Sequence, residues 1–162
     1  MFDDENEIDP KELPIYKKGE EIYEVVNQIC QLIPDDENDK PLGHVKSIML
    51  EDAMMLTVKV AGATAGQLYD IKMEAAAIIR KSARNLMIQN HSLEMFGFEY
   101  VEYFQIVRDL LEEYRLLFID WVSKFDHWNY AIDRWGLFNP PGIGPFDHDP
   151  DDDIPFNGFD EI

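Results

Sequence analysis

Apolar residues recur at spacings of three and four along most of the chain, the period of a helix buried on one side. The first stripe is Ile22, Val25, Val26, Ile29, Leu32 and Ile33, with Glu20, Glu21 and Glu24 on the wet side. Pro14 suits the start of that helix, because the N–H it lacks would have no partner there. Pro34 and the polar run from Asp35 to Pro41 end it. A second helix is predicted over about residues 42–65, on Val45, Ile48, Met49, Met55, Leu56, Val60 and Ala63. A third covers about residues 68–89, with Leu68, Ile71, Ala75, Ile78, Ile79, Ala83, Leu86 and Met87 facing inward, and Asn90-His91-Ser92 reads as its break. The fourth and longest covers about residues 98–125. Val101, Phe104, Val107, Leu111, Tyr114, Phe118, Trp121, Val122 and Phe125 mark its buried face, and Leu110, Leu117 and Ile119 widen it.

No strand-like alternation of useful length and no internal repeat occurs. Long amphipathic helices joined by short polar links predict an all-α fold, an antiparallel up-down four-helix bundle. The bundle with a C-terminal aromatic cap takes residues 14–138, between an acidic, disordered N-terminus (1–13) and an acidic, Pro- and Phe-rich tail (139–162). The second helix ends in Val60-Ala-Gly-Ala-Thr-Ala-Gly66, small side chains that permit either close helix approach or a tight turn, with Gly66 as the stop. The fourth helix carries more apolar surface than one seam uses, which fits either a fully buried helix or subunit contacts, and a homo-oligomer is the expected one.

Past Phe125 the sequence becomes aromatic and then stops helix formation with Gly and Pro, between Asp126 and Pro141. Trp121, Trp128 and Trp135 are seven apart, so a continued helix would keep them on one side. Two readings compete. A short helix whose indoles cover the open end of the bundle is the expected one, and a docking surface built on Trp128 and Trp135 is the other.

Charge changes the picture. The net charge of −19 on 162 residues is concentrated at the two ends. A chain this negative repels phosphate backbones, so direct nucleic-acid binding is disfavoured. Lys72, Arg80, Lys81 and Arg84 fall about one and two helical turns apart and form the one basic patch that could oppose this, although a solvated surface paired with nearby acids explains them as well. Cys30 is the single cysteine, set among Val26, Ile29 and Ile33, and reads as a small buried apolar residue. The acidic N-terminus is the opposite of a secretory leader, and no stretch approaches the ~20 apolar residues of a membrane span. Cytoplasmic residence is expected.

The tail from Phe146 to Ile162 contains Asp147, Asp149, Asp151, Asp152, Asp153, Asp160 and Glu161 and no Lys or Arg. It is too charged and too poor in aliphatics to build its own core. It has the makings of a ligand, with carboxylates drawn to a basic pocket and an aromatic ring as anchor. The residues that would make the contact are Asp151, Asp152, Asp153, Ile154, Pro155, Phe156 and Phe159.

Two resemblances follow. The helix order and lengths, with the run from Lys17 to Val26, the Ala/Gly-rich Val60 to Gly66 and the run from Arg115 to Val122, resemble the bacterial four-helix-bundle family first known from intervening sequences in large-subunit ribosomal RNA genes. The likeness spans about residues 14–126 and implies a bundle that assembles into oligomers. One branch of that family serves as an accessory factor to reverse transcriptases of diversity-generating elements and uses a basic surface, from which this acidic chain departs. The run from Asp151 to Phe156 resembles the acidic tip of bacterial single-stranded-DNA-binding proteins, which recruits repair and replication enzymes. Here it is internal, followed by Asn157 to Ile162, so Phe156 lacks the free carboxylate of that tip.

Catalytic patterns are wanting. A carboxylate-bridged metal centre needs Glu on facing helices and a Glu-x-x-His pair. Glu51, Asp52, Glu74 and Glu94 supply carboxylates, but His91-Ser-Leu-Glu94 has the reverse order. Asp147, Asp149 and Asp151 alternate as in a calcium loop, yet the sixth position is Asp152 rather than Gly and the twelfth is Gly158 rather than Glu. Gly142-Ile-Gly144 precedes no helix and is no phosphate loop. No cofactor, no metal and no enzymatic activity are expected. The sequence points to an oligomeric helical-bundle adaptor that binds protein partners. The alternative is an acidic-tail ligand for a basic pocket on a nucleic-acid-processing enzyme.

Overall fold

Pro14 opens the first helix where the sequence places it. The computed structural model describes residues 8–35, 38–66 and 68–149. Helix α1 is Pro14–Gln31, α2 is Lys40–Ala65, α3 is Tyr69–Met95 and α4 is Phe104–Ser123. Short 3₁₀ turns at Pro10–Glu12 and Val101–Tyr103 precede α1 and α4. Residues 8–13, expected to be disordered, therefore carry an ordered turn whose N-cap is Asp9, and Leu13 packs against the core. Residues 1–7 lie outside the described residues.

Asp39 caps α2 by accepting a hydrogen bond from the N–H of Leu42. The helix then buries Leu42, Val45, Met49, Ala53, Leu56, Val60 and Ala63. In α1 the buried positions are Ile15, Gly19, Ile22, Val26, Ile29 and Cys30. Each helix packs against its neighbours in sequence, and α1 closes the ring against α4. The result is the up-down four-helix bundle, all-α among the described residues. Phe104, Val107, Leu111 and Tyr114 are the fully inward positions of α4. Tyr114 reaches across the bundle and donates its hydroxyl to the carbonyl of Leu56 at 2.9 Å.

Helix α3 does not break at Asn90. It continues to Met95 and stops at Gly97, whose φ of +74° is the left-handed conformation that glycine adopts without a Cβ penalty. The N–H of Phe98 donates to Leu93 O at 2.9 Å and that of Gly97 to Glu94 O at 3.1 Å, the double return bond that closes a helix C-terminus. Phe98 and Leu93 are both buried in the core beside this stop. Helix α4 is correspondingly shorter than the expected span.

The tight helix approach occurs at Gly19, not at the small-residue end of α2. A Cβ on Gly19 would lie 2.9 Å from Leu56 O and 2.9 Å from Thr57 Cγ2. A Cβ on Gly62 would meet nothing within 4 Å. Gly66 does end α2, in an extended conformation with its N–H bonded to Gly62 O.

Candidate functional site

After Ser123 the chain turns across the end of the bundle where α3 begins. Phe125 packs with Tyr69, Ala76, Trp121 and Tyr130, the N–H of Tyr69 donates to Asn129 O at 2.9 Å, and the rings of Tyr69 and His127 meet edge to face. A cap is thus present, but the helix expected from the Trp spacing does not form. Its physical reason lies two residues before each later indole. Asp126 accepts from Trp128 N–H at 2.9 Å and Asp133 from Trp135 N–H at 3.0 Å, so each side chain takes a backbone donor out of helical pairing. Trp121 is half-buried against Phe118 and Phe125. Trp128 and Trp135 are 91% and 96% exposed and cover nothing.

Asp133 is the organising residue. Besides Trp135 it accepts from the N–H groups of Leu137 and Phe138, both at 2.8 Å. These donors, Phe138 first, hold its carboxyl below the ordinary range. The Asn139 amide exchanges two hydrogen bonds with the Asp133 backbone. Arg134 donates to Pro145 O and Asp147 O. Asp147 accepts from Gly144 N–H, and Asp149 from Ile132 N–H at 3.2 Å. Residues 139–149, read from sequence as the start of the tail, are therefore laced onto the cap. Asp147 and Asp149 spend oxygens on backbone turns.

This scaffold holds four large apolar side chains in water: Trp128, Trp135, Leu137 and Phe146. Phe146 packs on neither the bundle nor the cap at 96% exposure. Trp135, Leu137 and Phe138 border a cleft of about 300 Å³ whose other walls are Asp70, Glu74 and Asp133. Trp128 borders a smaller one, about 190 Å³, with His127, Tyr130, Pro140, Pro141 and Ile143. Together these give an aromatic rim with an acidic recess beside Trp135 and an apolar one beside Trp128.

The four expected basic residues do not act as a unit. Lys72 lies over the Phe125 ring at 5.5 Å. Arg80, Lys81 and Arg84 stay exposed on α3, and Arg80 borders a cleft between α3 and α4. Asp151, Asp152, Asp153, Ile154, Pro155, Phe156 and Phe159 lie outside the described residues. Among the described residues no group of three or more His, Cys, Asp or Glu is placed to hold a metal ion, and no helix is long and apolar enough to cross a membrane.

Two features escaped the sequence reading. The Asp-x-Trp repeat was a usable signal for the turns. Asp52 reads from sequence as a carboxylate available to a metal. It is instead a core position, 9% exposed, with Oδ2 buried and unpartnered among the described residues.

No family model, no curated protein and no solved structure matches the chain.

Proposed function

We propose that this chain is a non-catalytic protein-binding module that presents its aromatic cap to a protein partner and associates with copies of itself through the outer side of α4. The observation that carries the reading is the pairing of exposure with order at Trp128 and Trp135. Bare indoles on a floppy loop would lose much of their binding energy to ordering. Here Asp126 and Asp133 fix the backbone at each indole beforehand. Trp is also the residue type most often found at the energetic centre of an interface. The acidic recess beside Trp135 favours a partner surface that carries basic side chains among apolar ones. Self-association is supported by Ile106, Leu116 and Ile119, which α4 leaves about half exposed.

The test compares the full chain with Trp128→Ala/Trp135→Ala, both immobilised, against an extract of the host cell. Neither side chain contributes to the core, so the helical circular dichroism should not change. The full chain should retain a defined protein that the double variant loses, with at least ~30-fold weaker binding if both indoles are central anchors. Equal retention by the two would overturn the cap as the contact surface.

A further inference from the structure

The seam between α3 and α4 is the loosest of the four in the bundle, and it holds a cleft of about 290 Å³. Ile79 and Ala83 of α3 and Leu111, Phe118 and Ile119 of α4 make its apolar lining. Arg80 and Arg115 flank it, one on each helix. Glu112 already holds Arg115, with an Nη2–Oε1 distance of 2.6 Å. Lys81 acts on Asp52 of α2, but Arg80 and Arg84 make no ion pair among the described residues. That is unexpected in a chain with 33 Asp and Glu against 14 Lys and Arg.

A segment of matching chemistry belongs to the same chain. Beyond Asp149 come Asp151, Asp152, Asp153, Asp160 and Glu161, with Ile154, Phe156 and Phe159 among them and no basic residue. The place where the described chain stops matters as well. Asp149 is bonded to Ile132, and the next residue, Asp133, faces Asp70 and Glu74 in the first two turns of α3. Ile79 lies five residues past Glu74, roughly 8 Å along the helix axis. Phe156 is seven residues past Asp149, a span that reaches up to about 25 Å when extended. The acidic run therefore starts near the correct end of α3 and has ample length.

We propose that residues 150–162 dock on the α3–α4 cleft of their own chain, with Phe156 on the apolar lining and Asp151 to Asp153 facing Arg80 and Arg84. The ring supplies most of the hold and the charges set the register. A docked tail neutralises the unpaired guanidinium charge on the outer side of α3. It also occupies the segment that would otherwise serve as a ligand for another protein, so that any outside basic pocket competes with the chain's own.

The test uses the full chain with a nitroxide on Gly158→Cys. Cys30 does not interfere, because it is 1% exposed and burial pushes its thiol up to about 11. Methyl signals of Ile79 and Ile119 should lose most of their intensity, while that of Ile33, just past the C-terminus of α1 at the far end of the bundle, should keep its own. Phe156→Ala and Arg80→Glu, the latter at an exposed position on α3, should each restore the lost signals. Unchanged signals at Ile79 and Ile119 in the labelled chain overturn the proposal, and so does broadening that persists in both variants. Broadening seen only between a labelled copy and an unlabelled one overturns the seat on the same chain and assigns the cleft to a neighbour's tail.

Discussion

Asp52 occupies a position on α2 that the helical period reserves for an apolar side chain, between Met49 and Leu56. Burial pushes its carboxyl above the ordinary range, and Glu51 adds to the rise. Ser82 and Asn85 of α3, together with Lys81, pull the other way without restoring it. The fold thus favours the protonated acid more than the unfolded chain does. Its contribution is greatest below the ordinary value of 3.8 and is lost as pH climbs through the raised folded value. Asp52→Asn keeps the shape and removes the charge. It should stabilise the bundle by about 1–2 kcal/mol at neutral pH, the scale of a buried polar atom left unpaired. Denaturant melts at several pH values should show a flatter decline above the ordinary carboxylate range than in the parent. Identical slopes would assign the decline to the net charge alone.

At the scale of elements, the apolar stripes made all four helices legible, because a buried face repeats every three or four residues whatever the partner. Their ends were less so. Asn90-His91-Ser92 is polar enough to resemble a break, but Leu93 is fully buried, and that burial carries α3 through to Gly97. The regular spacing of Trp121, Trp128 and Trp135 suggested one helical face. Short-range Asp-to-backbone bonds decided the matter instead, since they form within three residues and need no tertiary partner. The site was therefore legible in its residues, Trp128 and Trp135, and not in its geometry. The seams contain a similar lesson in their glycines. Gly19 is the contact point of α1 on the Leu56 backbone, whereas a Cβ on Gly62 would meet nothing within 4 Å. Gly19→Ala should cost about 1–3 kcal/mol by forcing α1 and α2 apart. Gly62→Ala should gain up to about 1 kcal/mol from helix propensity. Paired denaturation curves check both, and equal effects at the two positions would contradict the close approach.

For the whole molecule, two surface properties oppose each other. A charge of −19 pushes copies apart, while Ile106 and Leu116 on the outer side of α4 remain 49% and 58% exposed. The proposed self-association requires short-range apolar contacts to outweigh a repulsion that is screened at physiological salt, where the Debye length is ≈ 8 Å. Sedimentation equilibrium at micromolar concentration should show a homo-oligomer that dissociates as salt is removed. Ile106→Glu/Leu116→Glu should be monomeric with unchanged helix content. A parent chain that is monomeric throughout would leave the outer side of α4 without a role in assembly. The cap has an optical corollary. Of the three indoles, only Trp121 is half-buried, so the ultraviolet emission of the folded chain is governed by two rings already in water. Melting the helices changes the colour of that light very little. Covering the cap changes it strongly. The chain's own fluorescence is therefore nearly blind to whether the bundle is folded and sensitive to whether anything is bound.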